Sequence, residues 1–143
     1  METALGINPE LHLTGTNHET RDGTGIRDYI HIWDLARAHV SALTEFDAVF
    51  ERAGNPEDNY LVINLGTGRG VTVRELVTAF EKVYGQTIQK RDMPPRPGDV
   101  PGAYANADTA LRLLNWKAEL SIEEGISDAL KWGELRTQIL NWA

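Results

Sequence analysis

Tyr60-Leu61-Val62-Ile63-Asn64-Leu65 runs directly into Gly66-Thr67-Gly68-Arg69-Gly70, and then into Thr72-Val73-Arg74-Glu75. A short apolar run without alternation, closed by glycine, reads as a strand buried on both faces, the usual state of a parallel sheet. Thr72 and Glu75 have the spacing of a capping box, in which the hydroxyl accepts from an amide three residues on and the carboxylate reaches back. Leu76, Ala79, Phe80 and Val83 give the helix behind it one apolar face, and Gly85 ends it. Strand, tight turn and capped helix in succession confine the chain to an α/β architecture.

A second organising stretch spans Asp22 to Leu35. Asp22-Gly23 and Thr24-Gly25 predict a turn, and Tyr29 to Trp33 predict a strand of β-branched and ring-bearing residues. Asp34 is expected to be the N-cap of a helix running from Leu35 to about Arg52. Its apolar positions Leu35, Ala38, His39, Ala42, Leu43, Phe46, Val49 and Phe50 predict one buried face, with His39 packed in it. Gly54-Asn55-Pro56 stops it. Elsewhere, Leu11-His12-Leu13-Thr14 reads as a strand, 86–92 as a more exposed strand, and 108–114 as a short helix. A longer helix follows Ser121, where Ser121-Ile122-Glu123-Glu124 repeats the capping-box spacing. Met1 to Leu5 reads as the tail of a longer helix, ended by Gly6 and Asn8-Pro9. Trp116, Trp132 and Trp142 read as packing residues of the C-terminal helices.

The 143 residues suit one domain, and a net charge of −7 argues against nucleic acid as a partner. A small anionic ligand stays open, because a few arginines can create a local positive site in an acidic protein. Without cysteine there is no disulfide, thiolate nucleophile or cysteine-based zinc site. No apolar run approaches the roughly 20 residues of a membrane span, and the first ten residues lack a signal-peptide pattern. The expectation is a soluble cytoplasmic protein with no membrane partner.

Three features could carry chemistry. Gly66-x-Gly68-x-Gly70 between strand and helix approaches the dinucleotide fingerprint, but one residue is missing before the third glycine. It reads as either a phosphate loop or a tight strand-to-helix turn. In the stiff stretch 93–101, Arg96 and Asp99 could grip a phosphate and accept from sugar hydroxyls, or could simply pair with each other. Arg27 stands where the 22–25 turn meets the strand, held rigidly yet within reach of a ligand. His12, His18, His31 and His39 show no metal spacing, and His31 reads as structural. Neither a Gly-x-Ser-x-Gly elbow nor an isolated carboxylate pair points to a catalytic group.

Asp22-Gly23-Thr24-Gly25-Ile26-Arg27-Asp28-Tyr29-Ile30-His31, Asp34-Leu35-Ala36, Asn64-Leu65-Gly66-Thr67-Gly68, Arg96-Pro97-Gly98-Asp99 and Asn115-Trp116-Lys117-Ala118 occur in this order. Together they resemble the C-terminal part of UDP-glucose (UDP-galactose) 4-epimerases, of the extended short-chain dehydrogenase superfamily, from about Leu11 to Trp132. Such enzymes use bound NAD to oxidise C4 of a hexose, turn the keto sugar and return the hydride to its other face. The resemblance implies an α/β fold that is the substrate-binding portion of that architecture. It would have a few short strands and about four to five helices, without the N-terminal NAD-binding Rossmann half.

By the same resemblance, Arg27 and Arg96 match the arginines that hold the UDP diphosphate, and Asp99 the carboxylate that accepts from the ribose. The backbone of His12, Leu13 and Thr14 matches the strand lining the uracil. Ala103 stands where the family places a residue beside the sugar's 2-substituent, small in enzymes that accept N-acetyl sugars. None of Tyr29, Tyr60, Tyr84 and Tyr104 has a lysine four residues later, so the family's Tyr-x-x-x-Lys acid–base pair is absent from these residues. The implied reading is one unit, 1–143, that supplies no catalytic residue, holds no metal and does not bind NAD alone. Its residues 34–65 would pack on an NAD-binding half. The implied partners are a UDP-sugar, that half and, as an option, a second copy in a homodimer. The alternatives are a non-catalytic UDP-binding module and a chain with no ligand.

Overall fold

Two small hydrophobic cores, joined by loops, hold the fold together. The computed structural model describes residues 1–140, so Trp142 lies outside the described residues. In chain order the elements are β1 (Leu11–Thr14), β2 (Ile26–Arg27), α1 (Ile32–Thr44), α2 (Phe46–Ala53), β3 (Val71–Thr72), α3 (Val73–Tyr84), β4 (Lys90–Met93), α4 (Asp108–Leu114) and α5 (Ile122–Leu140). β1 pairs with β4 in parallel, and β2 pairs with β3 antiparallel.

The first core gathers Ala38, Val49, Ala110, Leu113 and Leu114 from α1, α2 and α4 and Trp116 from the segment after α4, with Leu61, Ile63 and Leu65 packed against it. The second joins Leu13, Val77 and Ile88, with Leu11, Phe80 and Tyr84 at its edge. Both capping boxes form. Thr72 Oγ1 accepts from the Glu75 amide while the Glu75 carboxylate accepts from the Thr72 amide, and Ser121 and Glu124 repeat the exchange. Gly54 and Gly85 close α2 and α3 at φ 81° and 80°, the left-handed region where a side chain would be strained.

The long helix expected from Leu35 is two helices broken at Glu45, and it begins earlier than expected. Residues 28–31 form no strand, and the N-cap is His31, whose Nδ1 accepts from the Trp33 amide at 3.0 Å. That bond requires Nδ1 to carry a lone pair, so His31 is a cap, buried as expected of a structural histidine. Asp34 is instead a buried residue of the first turn.

Residues 60–65 are not a strand in this structure. Leu61, Ile63 and Leu65 turn toward the first core, while Tyr60 and Val62 are 76% and 64% exposed. The run is extended enough to alternate, but no neighbouring strand pairs with its backbone among the described residues. His39 also departs from expectation. It is exposed, its Nδ1 against the Leu35 carbonyl, because the α1 face toward the core is the narrow one through Asp34 and Ala38. Trp116 packs as expected, whereas Trp132 is 46% exposed. The expected strand at 86–92 shifts to Lys90–Met93, where β1 supplies its partner.

Candidate functional site

The short β2 strand is the seat of the site. Ile26 pairs with Thr72 on one side and makes a parallel bridge with Gly102 on the other. Its amide donates to the Pro101 carbonyl at 2.8 Å, and its carbonyl accepts from the Ala103 amide at 3.3 Å. The next two side chains face different partners. Arg27 Nη1 reaches the Ile26 carbonyl at 2.7 Å and the Val100 carbonyl at 3.5 Å. Asp28 Oδ1 accepts from the amide and the hydroxyl of Thr67, and Oδ2 accepts from the Ala105 amide at 3.1 Å.

This arrangement explains the glycine loop. A methyl group at Gly66 would collide with Asp28 Oδ2 and come within 2.7 Å of the Ala105 side chain. One at Gly70 would lie 2.5 Å from Ile26 Cγ2. The Thr67 amide is taken by Asp28, the Arg69 amide by Thr67 Oγ1 and the Thr72 amide by Glu75. With these donors occupied, the 66–70 turn does not fit a dinucleotide pyrophosphate. It is the tight turn, closed around β2.

The 17–25 loop is locked to the same turn. Asp22 accepts from the Thr24 amide and hydroxyl through Oδ1 and from the Thr72 hydroxyl through Oδ2. Arg21 holds the Gly70 carbonyl at 2.7 Å and forks onto Glu75. The Arg21 guanidinium and the Thr72 amide hold the Glu75 carboxyl down at about 2. These residues set the backbone that carries Arg27 without touching the same space.

The remaining candidates lie on β1, on β2 and on the 94–101 loop that connects them. The loop leaves β4, where the Met93 carbonyl accepts from Gly15, and reaches β2 at Pro101. Within it, Asp99 is the less exposed partner. Its Oδ2 accepts from the Arg96 amide at 3.3 Å and stands 4.0 Å from Arg96 Nε. The Arg96 side chain is 76% exposed, so the loop presents a guanidinium held by only a long contact. Leu11 and Gly15 both donate to the β4 side. By strand alternation, the amides of His12 and Thr14 point to the opposite edge of β1, which pairs with no strand among the described residues, while the Leu13 side chain is buried. Ala103 is exposed and follows the Gly102 bridge directly.

A groove of about 800 Å³ lies elsewhere and is apolar, lined by Tyr29, Trp33, Phe80, Ile126 and Trp132 among others. None of Arg27, Arg96, Asp99 and Ala103 lines it. We place the candidate site with the arginines, because an anion needs cationic and amide donors that this groove lacks. Among the described residues no cluster of histidines and carboxylates could hold a metal ion. No helix there is long and apolar enough to cross a membrane. Asp28 escaped the sequence reading as a site-building residue. Its one visible signal was Gly66, a glycine needed only because something large packs on it.

Short strands flanked by five helices make these residues a small α/β unit of the extended short-chain dehydrogenase type. More particularly, the chain is similar to the C-terminal part of UDP-glucose 4-epimerases. It is 44% identical over 131 residues to UDP-glucose 4-epimerase 2 of Arabidopsis thaliana, covering 92% of this chain and 35% of that protein. The Bifidobacterium longum UDP-glucose 4-epimerase, solved with NAD+ and UDP, superposes with a TM-score of 0.83 at 39% identity, over 93% of this chain and 37% of that one. The UDP-glucose 4-epimerase of Stenotrophomonas maltophila, solved with NAD and formylated UDP-arabinopyranose, also gives 0.83, at 38% identity, over 96% and 39%. The chain thus spans little more than a third of the proteins it matches. No family model matches it.

Proposed function

We propose that this chain is the substrate-binding portion of an NAD-dependent UDP-hexose 4-epimerase, which interconverts UDP-glucose and UDP-galactose. In this reading it holds the UDP of the sugar nucleotide and turns nothing over alone. The observation that carries the reading is the 94–101 loop, tied at one end to β1–β4 and at the other to β2. It carries Arg96 and Asp99 between the strand pair that holds His12 to Thr14 and the strand that holds Arg27, whose Nη1 lies 3.5 Å from the Val100 carbonyl of the loop. Two guanidiniums on separately anchored segments suit a diphosphate, which each can grip with paired hydrogen bonds. The edge amides of His12 and Thr14 suit the carbonyls of a uracil, and the unengaged oxygen of Asp99 suits a ribose hydroxyl. Ala103, small and exposed at the end of the same ladder, leaves room for a substituent at the sugar's C2, so an N-acetyl sugar fits this reading.

Isothermal titration with UDP tests the binding part. The wild-type chain is expected to bind, and Arg96→Ala to bind roughly tenfold more weakly, since a charge-assisted pair contributes more than a neutral hydrogen bond. Arg96 is exposed, so the variant is expected to keep the wild-type fold. No heat with the wild-type chain removes the binding role.

Catalysis in this reading requires an NAD-binding half, which would also carry the NAD and the acid–base tyrosine. Trp33, Val40 and Leu43 of α1 stand 63%, 60% and 76% exposed in one helical stripe, with Phe46, Tyr60 and Val62 likewise uncovered. An apolar face of this kind on 34–65 favours a docking surface for a sheet. The chain alone is therefore expected to self-associate in light scattering. Co-expressed with the N-terminal part of the Bifidobacterium longum enzyme, it is expected to elute as a one-to-one complex with epimerase activity. A monodisperse chain that ignores that half in co-purification would count against the docking surface.

A further inference from the structure

We propose that Asp28 is a positioning residue for the sugar-nucleotide site, setting both the reach of Arg27 and the place of Ala103. The inference rests on the UDP reading above and goes beyond it, because the bonds of the Asp28 carboxylate go to Thr67 and Ala105 and to none of the residues that reading assigns to the ligand. Its three acceptor bonds, to Thr67 N at 3.0 Å, Thr67 Oγ1 at 2.6 Å and Ala105 N at 3.1 Å, tie together two segments far apart in the chain.

The geometry makes this clasp hard to replace. β2 is two residues long, with few ladder bonds to hold it, so neighbouring side chains must fix its register. On one flank stand Val71 and Thr72; on the other, Pro101, Gly102 and Ala103. Asp28 is the first side chain beyond β2, and it bonds to a residue of the turn that precedes β3 and to Ala105 beyond the Gly102 bridge. Gly66 lies so close beneath the carboxylate that no larger residue fits there. The carboxylate thus closes the end of a narrow three-segment ladder whose middle segment carries Arg27. Without it, the 101–105 segment keeps only the two Ile26 bonds. Ala103 and the Val100 carbonyl that Arg27 touches would then drift together.

A side chain that only holds the fold would, when altered, weaken binding of every ligand through lost stability. A positioning role predicts a selective loss. Asp28→Asn keeps the shape but exchanges one acceptor for a donor facing the Thr67 or Ala105 amide. UDP and UMP are titrated into the full chain and into Asp28→Asn, alongside thermal melting and amide exchange at Thr67 and Ala105. The expected result is faster exchange at both amides and at least about tenfold weaker UDP binding. UMP, lacking the second phosphate, should be weakened less, so the preference for UDP over UMP narrows. Should Asp28→Asn lose its cooperative melting, Thr67→Val removes one donor and leaves the carboxylate in place, and is expected to show the same narrowing at smaller amplitude. Wild-type binding of UDP with an unchanged UDP-to-UMP ratio in the folded variants overturns the positioning role alone. A wild-type chain that binds no UDP overturns the UDP reading and this role with it, while the exchange data still report whether the clasp exists.

Discussion

Asp34→Ala is expected to destabilise the chain by about 3 kcal/mol, read as a lowered urea midpoint with an unchanged slope. The Asp34 side chain is 0% exposed and accepts from the Glu119 amide at 3.0 Å, the Leu120 amide at 2.9 Å and Arg37 at 2.7 Å. Its removal leaves two amides without their acceptor and Arg37 with Glu119 alone, the costly side of the hydrogen-bond balance. The backbone of the same residue also accepts from the Trp116 indole at 3.0 Å. Asp34 therefore joins α1 to the 116–120 connection that delivers α5. Asp34→Asn keeps one acceptor oxygen and should lose less.

A pH titration of stability gives the matching sign. Burial pushes the Asp34 carboxyl up, but the Leu120 and Glu119 amides and the Arg37 charge outweigh it and hold it below its ordinary 3.8. A carboxyl lowered in the folded state contributes stability that is complete above its unfolded value. That stability is lost as the pH falls through the lower folded value. The wild type should therefore lose stability more steeply than Asp34→Asn as the pH falls below about 4.

Gly102→Ala is expected to cost about as much, roughly 3 kcal/mol, from crowding rather than from a lost bond. An added methyl would stand 2.6 Å from both the carbonyl oxygen and the Cβ of Ile26, and 2.9 Å from its Cα. The nearest atoms are mostly backbone, so no side-chain rotation relieves the clash and the ladder must part. The loss should appear as a lower melting temperature together with rapid exchange of the Ile26 and Ala103 amides. Gly98→Ala is the control. It has nothing within 4 Å, so only its positive φ of 80° resists the change, and the cost should be about 1 kcal/mol. Equal losses at the two glycines would show that crowding against Ile26 is not what matters.

How far the sequence spoke depends on whether each signal was local. The capping boxes at Thr72 and Ser121, the stops at Gly54 and Gly85, and the short helix over Asp108–Leu114 form as their residues dictate. Each depends on atoms within a few positions of one another. Asp34 had the right chemistry for an N-cap and a different assignment, because its acceptors' partners, the amides of Glu119 and Leu120, lie more than eighty residues away. His31 took the cap instead. Tyr60 to Leu65 has the composition of a buried strand, but a strand exists only with a neighbour to bond to, and none pairs with it among the described residues. Arg27, Arg96 and Asp99 were legible as candidates from their residue types and spacing. The clasp at Asp28 was not, because a carboxylate that accepts from distant amides looks in sequence like any other.

By itself the sequence determined the local elements, the glycines that end α2 and α3 and the likeness to UDP-glucose 4-epimerases, all properties of neighbouring residues and of motif order. Tertiary structure alone decided that the glycine loop is a turn closed on β2, that the 101–105 segment runs beside Arg27, and that α1 and the 60–65 run keep an uncovered apolar side. Those outcomes turn on which distant groups meet and which find no partner. Contacts between segments seventy or more positions apart leave little trace in either segment alone.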